Sequence, residues 1–223
     1  MDNPIELVRL PRRGTLAAPI LTGLVALLLS SGTLAQADGF ERDAVGASPP
    51  AGWHCGVTGQ GQPRWAVTAD PGAPSPSRVL LQDGAGTFPW CVKDSTALAD
   101  GFVEAKFKPI AGREDQAGGV VWRWKDGDHY YVARANALEN NVSLYYTERG
   151  TRRTPKYLNT PVARGAWHTL RVEFTGTHIA VPLDGEQRIE MDDRHITGPG
   201  AVGVWTKADS VTAFDDFAHG ARP

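Results

Sequence analysis

The sequence has few cysteines, no block of basic residues and almost no helical periodicity. Two cysteines among 223 residues exclude a cysteine-rich metal cluster and allow one disulfide at most. The formal net charge is −2, with acids and bases spread along the chain. This disfavours a dedicated nucleic-acid binder, which needs a basic patch. Without a repeat of apolar residues at helical spacing, an α-helical domain is disfavoured as well.

Residues 1–37 have the pattern of a secretory signal peptide. A basic start precedes an apolar run over 16–29, and a small-x-small cleavage sequence ends at Ala37. The run is shorter than the roughly 20 residues that cross a bilayer, and an uncleaved anchor is the alternative. Cleavage after Ala37 predicts that residues 38–223 form an exported domain, periplasmic or extracellular, with no membrane association.

Export would place Cys55 and Cys91 in an oxidising compartment, where thiols pair. We therefore predict a disulfide between Cys55 and Cys91, worth roughly 4 kcal/mol in the chain-entropy model. The alternative, a reactive thiol, lacks a nearby activating base in the sequence.

Short runs rich in Val, Tyr, Phe, Trp and Thr recur between turn residues along the rest of the chain. The pairs Asp126-Gly127 and Asp184-Gly185 each separate two such runs, which is typical of β-hairpins. The pattern predicts an all-β domain of about ten to twelve strands, built as a sandwich or a barrel.

The order of several segments resembles the concanavalin A-like lectin/glucanase superfamily. They are Gly-Phe-Val-Glu-Ala at 101–105, Ala-Gly-Gly-Val-Val-Trp-Arg at 117–123, Tyr-Tyr-Val-Ala-Arg at 130–134, Trp-His-Thr-Leu-Arg-Val-Glu-Phe at 167–174, Val-Gly-Val-Trp-Thr-Lys-Ala-Asp-Ser at 202–210 and Phe-Asp-Asp-Phe at 214–217. Within the superfamily, the chain most resembles bacterial laminin-G-like and 3-keto-disaccharide hydrolase-type domains, some of them labelled family-16 glycoside hydrolases by fold. The resemblance implies a two-sheet antiparallel jelly-roll sandwich with one concave face available to a ligand. It leaves the activity open, because this fold hosts lectins, hydrolases, lyases and adhesion modules.

One motif of that superfamily is missing. Its retaining glucanases carry Glu-x-Asp-x-Glu on one strand, which brings two carboxylates to the same face for hydrolysis. Here Lys106 stands where an aspartate would follow Glu104, and the segment Glu190-Met191-Asp192 lacks the second glutamate. No two histidines have zinc-ligand spacing. His129 is the one histidine that we single out as a candidate general base, and the favoured alternative is a surface histidine with satisfied hydrogen bonds. We therefore predict a non-hydrolytic domain.

Aromatic and basic side chains on neighbouring strands are the best positive signal for a ligand. Sugars stack their C–H faces on aromatic rings, and their hydroxyls bond Arg and Asn side chains. Strand alternation places Arg123 on the face opposite Trp122 and Trp124. The predicted ligand-binding residues on the concave face are Arg123, Arg134, Asn136, Trp205 and Lys207. An Arg134→Ala variant is then expected to lose binding with its melting temperature nearly unchanged. The alternative is that the tryptophans pack between the sheets and the arginines are ordinary surface residues.

The resemblance also implies a structural calcium ion where the last strand meets the N-terminal strand. Carboxylate and carbonyl oxygens suit Ca²⁺. The candidate ligands are Asp215 or Asp216 from the last strand, and Glu41 or Asp43 from the N-terminal segment. The alternative is a solvated acidic edge that protects the sheet from aggregation.

These observations predict an exported, monomeric jelly roll that binds a glycan or another small polar ligand on its concave face without hydrolysing it. Two alternatives stay open. One is a metal-assisted glycoside hydrolase or lyase that acts on 3-keto-glycosides, and the other is a structural envelope protein.

Overall fold

The computed structural model describes Met1 and residues 37–221, so the predicted signal peptide lies almost wholly outside the described residues. No helix in the described part is long and apolar enough to cross a membrane. Its regular structure consists of fourteen strands, in chain order β1 (Trp53–Gln62), β2 (Trp65–Ala69), β3 (Arg78–Gln82), β4 (Ala85–Lys93), β5 (Gly101–Ala111), β6 (Ala117–Asp126), β7 (His129–Asn136), β8 (Asn141–Glu148), β9 (Thr151–Asn159), β10 (His168–Thr175), β11 (His178–Leu183), β12 (Glu186–Asp192), β13 (Ala201–Trp205) and β14 (Val211–Ala221).

The strands form two antiparallel sheets of seven strands each. The spatial order is β1-β4-β13-β6-β7-β8-β9 in the first sheet and β12-β11-β10-β5-β14-β3-β2 in the second. Hairpins such as β6-β7-β8 therefore alternate with connections that pass from one sheet to the other. This is the predicted two-sheet jelly-roll sandwich, and the prediction of fold class is confirmed.

The main core lies between the two sheets. In β5, strand alternation turns Val103, Ala105 and Phe107 into this core. From the first sheet, the Trp122 ring stacks on Tyr131 with the ring centroids 5.1 Å apart. It also reaches Phe174 of the opposite sheet at 6.1 Å. Large aromatic rings thus fill the space between the sheets and hold them at a fixed separation.

The predicted disulfide is confirmed. Cys55 of β1 and Cys91 of β4 are direct cross-strand partners and are bonded to each other. The bond therefore fastens β1, at the edge of the first sheet, to the neighbouring strand.

Strand β9 was not predicted from the sequence. It contains Pro155, which donates no hydrogen bond to a ladder and so argues against a central strand. The structure places β9 at the edge of the first sheet, paired only with β8 among the described strands. Proline is tolerated at an edge because one side of the strand needs no partner.

Candidate functional site

The outer face of the first sheet, which we call the groove face, carries an apolar cluster separate from the main core. Its buried members come from five strands and are Trp90, Val92, Val121, Tyr130, Val132, Tyr145 and Trp205. The guanidinium carbon of Arg152 on β9 lies 4.4 Å from the ring centroid of Phe88 on β4. These strands are five steps apart in the sheet order, about 24 Å in a flat sheet. The sheet must therefore curve strongly, with the groove face on its concave side.

Three aromatic rings, Phe88, Tyr145 and Trp205, form what we call the aromatic floor of this groove. Phe88 and Trp205 stack with their centroids 5.8 Å apart. The cross-strand partner of Trp205 is Gly119, where a Cβ atom would lie 3.4 Å from the indole and 2.7 Å from a backbone oxygen. Glycine at this position therefore lets the indole lie close against the sheet.

Arg152 covers the aromatic floor. Its guanidinium carbon lies 4.3 Å from the Tyr145 ring centroid and 5.8 Å from that of Trp205, in addition to the Phe88 contact. Such cation–π contacts each contribute about 0.5–2 kcal/mol. Burial lowers the pKa of Arg152, and the charge of Arg134 lowers it further. The guanidinium nevertheless keeps its charge, because its ordinary pKa lies so far above neutrality.

A polar network, here called the polar end, lies beside the aromatic floor. Its centre is the fully buried Asp115, from the segment between β5 and β6. One oxygen of Asp115 lies 2.6 Å from Nζ of Lys207 and accepts a second bond, from Arg134, at 3.4 Å. The other accepts a 2.6 Å bond from the Asn136 amide. All three of these donors are residues that the sequence placed on the concave face.

The network continues toward solvent. Arg134 donates to Glu139 at 2.6 Å and to Asn141 at 2.8 Å. Asn141 donates to Glu139 at 2.8 Å and to the Tyr157 hydroxyl at 3.3 Å. Tyr157 is the cross-strand neighbour of Ser143, which faces Arg134 in turn. With 49% of its surface exposed, the Tyr157 ring is the accessible aromatic surface of the polar end.

The environments of the two carboxylates shift their pKa values in opposite directions. Burial raises the pKa of Asp115, and the nearby Lys207 and Arg134 offset only part of that effect. Partial burial also raises the pKa of Glu139, but hydrogen bonds from Asn141 and Arg134 and the Arg134 charge outweigh it, so the pKa is lowered. The exposed carboxylate of Glu139 is therefore ionised at neutral pH.

Arg123 is not on the groove face, and the strict alternation expected for β6 is wrong at this residue. The backbone of Arg123 has φ +47°, and the register with β7 shifts between Trp122 and Asp126. This bulge turns the Arg123 side chain to the same side as Trp122. Its guanidinium lies 5.5 Å from the Phe174 ring centroid of the second sheet.

The Arg123 guanidinium bonds the backbone of three loops. It donates to the carbonyl oxygens of Gly176 at 2.7 Å, Ala99 at 3.1 Å and Ile196 at 3.1 Å. Arg123 thus fastens three connecting segments at one end of the sandwich, which is a structural role.

The other predicted residues lie together on the groove face but differ in exposure. Arg134 is 2% exposed, and Asn136 and Trp205 have no exposed surface. Lys207 is partly exposed and follows the end of β13. Arg134 and Asn136 therefore hold the polar end in shape from beneath, and contact of these residues with a ligand stays a prediction.

His129 and His195 differ in their surroundings. His129 has Nδ1 2.9 Å from the Asp126 carboxylate, and its Nε2 accepts the backbone N–H of Arg149 at 3.3 Å. Both ring nitrogens are thus engaged at hairpin turns. His195 was not singled out, yet its Nδ1 lies 2.9 Å from Asp193 and its ring stacks on Tyr146 at 3.9 Å.

The residues of the predicted calcium site separate into two groups. Asp215 Oδ1 and Glu41 Oε1 lie 2.7 Å and 3.4 Å from the hydroxyl oxygen of Ser75, which is also 3.2 Å from the carbonyl oxygen of Gly39. Asp216 does not join them, because it pairs with Lys106 at 2.7 Å.

These oxygens are of the type that Ca²⁺ prefers. Within residues 37–221, however, no three His, Cys, Asp or Glu side chains group closely enough to hold a metal. A cation would need the Gly39 carbonyl and the Ser75 hydroxyl beside Asp215 and Glu41. The calcium ion stays a prediction, with Asp215 rather than Asp216 as its ligand from the last strand.

No protein-family model matches the chain, and no curated protein matches it. Solved structures do match. A carbohydrate-binding module, CBM66, from Bacillus subtilis is 20% identical, covers 76% of this chain and 96% of its own, and has a TM-score of 0.63. A β-glucanase from Bacillus licheniformis is 11% identical, covers 85% and 98%, and has a TM-score of 0.55. A Bacteroides ovatus mixed-linkage glucan GH16 in complex with its G4G4G3G product is 10% identical, covers 74% and 93%, and has a TM-score of 0.52.

These likenesses agree with the two-sheet jelly-roll sandwich described above. Sequence identities of this size establish the fold but do not identify the ligand. The described domain has the concanavalin A-like jelly-roll fold.

Proposed function

We propose that this protein is a carbohydrate-binding jelly roll that holds a saccharide on its groove face without cleaving it. The observation that carries the proposal is the exposed Tyr157 ring, whose hydroxyl bonds Asn141 of the polar end at 3.3 Å. An aromatic ring fixed beside bonded amide and carboxylate groups offers both surfaces that a sugar needs: a flat apolar one and one lined with hydrogen-bonding groups.

The polar end supplies the second half of this recognition. Glu139 is exposed and Lys207 is partly exposed. Arg134 and Asn141 hold the Glu139 carboxylate in one orientation. A preorganised carboxylate can accept sugar hydroxyl protons with little loss of side-chain entropy on binding. The carbohydrate-binding module that shares this fold supports the same proposal.

The burial and hydrogen bonding of the Asp115 carboxylate favour saccharide binding over hydrolysis. A glycosidase needs an acid and a second carboxylate that both reach the scissile bond. Asp115 has no exposed surface, and its oxygens are bonded to Asn136, Lys207 and Arg134. It therefore cannot protonate a glycosidic oxygen without breaking the network that holds the polar end together.

The Cys55–Cys91 disulfide supports the proposal that the protein is exported, because disulfides persist in oxidising compartments. A periplasmic or extracellular binding protein would also meet saccharides before they enter the cell.

The direct test is a glycan array probed with the purified protein, followed by calorimetric titration of each oligosaccharide bound. Replacing Tyr157 with Ala should weaken binding by about tenfold or more, as expected for loss of a stacking platform. The matched control is Leu158→Ala, because Leu158 is also exposed but is the cross-strand partner of Val142, which faces the main core. Equal losses in both variants, or no glycan bound by the parent protein, would contradict the proposal.

A second candidate, a glycoside hydrolase or lyase, is favoured by one observation. His195 is paired with Asp193, to which the Tyr131 hydroxyl also donates. Burial raises the pKa of Asp193, but hydrogen bonds from Tyr131 and His195 outweigh it, so the pKa is lowered and the carboxylate stays ionised. An imidazole oriented by a carboxylate is the usual arrangement of a general base.

Tyr146, the stacking partner of His195, also lines a cavity of about 330 Å³ together with Glu148, Arg149, Thr151 and Arg153. Incubation of the purified protein with a 3-keto-glycoside tests this candidate. It requires product formation that disappears in His195→Gln, and an intact substrate would exclude it.

A further inference from the structure

The charges of the polar end balance one another. Lys207 and Arg134 are the two cations, and Asp115 and Glu139 are the two carboxylates. Each cation has an ion pair of 2.6 Å with one of these carboxylates. This part of the groove therefore needs no counter-ion from a ligand.

Arg152 is the exception. It does not take part in the ion pairs of the described residues, and its Nη1 atom is buried without a hydrogen-bond partner. Its neighbours are the Phe88, Tyr145 and Trp205 rings at 4.4, 4.3 and 5.8 Å. Contact with aromatic faces compensates only part of the hydration free energy that a guanidinium loses on burial. Among the charged side chains of the polar end and the aromatic floor, Arg152 is thus the one cation without an ion-pair partner.

The chemistry of a guanidinium defines what would balance this charge. Its planar fork of N–H donors matches a carboxylate or a sulfate with two parallel hydrogen bonds. Arg152 and Tyr157 are five residues apart on β9, roughly 16 Å along an extended strand. Both lie on the groove face, so one oligosaccharide lying along β9 could contact both.

We infer that the ligand is an acidic oligosaccharide, and that Arg152 binds its carboxylate or sulfate while Tyr157 stacks on a sugar ring of the same chain. This inference rests on the proposed function and specifies its ligand class. Arg152 is then the residue that separates acidic from neutral saccharides of the same length.

Calorimetric titration of the purified protein tests the inference with matched probes. They are an oligogalacturonate, the same oligosaccharide with its carboxyl groups reduced to alcohols, and a sulfated oligosaccharide of similar length. We expect the acidic probe to bind about tenfold or more tightly than its reduced counterpart, the effect of one charge-assisted contact. Preference for the uronate identifies a carboxylate site, and preference for the sulfated probe identifies a sulfate site.

Variants assign the effect to Arg152. Arg152→Gln should remove the difference between the acidic and the reduced probe, whereas Arg152→Lys should keep part of it. The control is Lys156→Gln, which removes one positive charge from the same strand at a residue paired with the core-facing Leu144. Thermal unfolding of each variant shows whether it is folded, and Arg152→Lys keeps the test valid if Arg152→Gln unfolds.

The outcomes separate the two proposals. Equal affinity of the parent protein for the acidic and reduced probes overturns the role of Arg152 and leaves saccharide binding intact. A loss in Lys156→Gln equal to that in Arg152→Gln also overturns it, since the effect would then be one of net charge. If no saccharide binds at all, the proposed function fails and this inference fails with it.

Discussion

Nζ of Lys207 lies 2.6 Å from a carboxylate oxygen of Asp115, a residue with no exposed surface. Lys207 follows β13, and Asp115 comes from the segment between β5 and β6. The ion pair therefore fastens a connecting segment across the end of the groove. Through Arg134 and Asn136, the same carboxylate organises the whole polar end.

Asp115→Asn should lower the free energy of unfolding by about 1–3 kcal/mol, because an amide NH2 group would replace one of the two acceptor oxygens and face the buried donors of Lys207, Arg134 or Asn136. Chemical denaturation measures this change. In the double variant with Lys207→Met, the loss should be smaller than the sum of the single losses. Additive losses would show that the pair makes no net contribution.

Arg134→Ala should lower both stability and saccharide affinity. Removing this buried guanidinium strips Asp115 and Glu139 of a partner, at a cost of about 3 kcal/mol. It also frees the Glu139 carboxylate that we propose to contact the sugar. Thermal unfolding and calorimetric titration of one preparation measure both effects. An unchanged melting temperature with binding abolished would instead make Arg134 a direct ligand contact, as the sequence alone suggests.

The sandwich itself could be predicted from sequence, because alternating strands such as β5 and hairpin turns such as Asp184-Gly185 are local signals. Side-chain direction could be predicted only where the strand is regular. At Arg123 a bulge reverses it, and a bulge depends on how β6 pairs with β13 and β7. Local sequence does not show that pairing.

The exposed part of the groove was missed for a related reason. Tyr157 and Arg152 belong to β9, whose Pro155 and polar residues do not read as a strand. One signal was available. The Arg149-Gly150 pair after β8 indicates a turn in the sequence, and a hairpin turn there requires a following strand. The structure confirms the turn, with φ +52° at Arg149 and +71° at Gly150.

Arg123→Met should destabilise the protein by about 2–3 kcal/mol without changing saccharide affinity. The change leaves the carbonyl oxygens of Ala99, Gly176 and Ile196 without their donor at the far end of the sandwich. Denaturation and titration of the folded variant measure the two effects. A loss of saccharide affinity in a folded variant would show that Arg123 contributes to ligand binding.

The free energy of unfolding should fall in acid, in part because Asp209 becomes protonated. Slight burial raises the pKa of this carboxyl, but backbone N–H groups of Arg113, Glu114 and Asp115 outweigh it, so the folded pKa lies below 3.8. The stabilisation is fully present above pH 3.8 and is lost as the pH falls through the folded pKa. The difference in unfolding free energy between the parent and Asp209→Asn should accordingly be constant near neutrality and shrink in acid. A difference that does not change down to about pH 2 would contradict this assignment.

Calcium should raise the melting temperature of the parent protein and not that of Asp215→Asn. The Asp215 carboxylate meets Glu41 and Gly39 at Ser75, whereas Asp216 is paired with Lys106. Asp216→Asn is therefore the matched control and should keep the response. Thermal unfolding with calcium and with chelator measures it, and identical curves for the parent protein would remove calcium from this account.

Hydrogen exchange with and without a bound oligosaccharide tests the central claim most directly. If the groove face binds the saccharide, amides of β7, β8 and β9 and of the segment around Glu139 should gain protection, and those of β10 to β12 should not. Protection confined to β12 and the segment around His195 would show that the saccharide binds near His195, as the candidate hydrolase or lyase function requires. Unchanged exchange on the groove face in the presence of a bound saccharide would contradict the account.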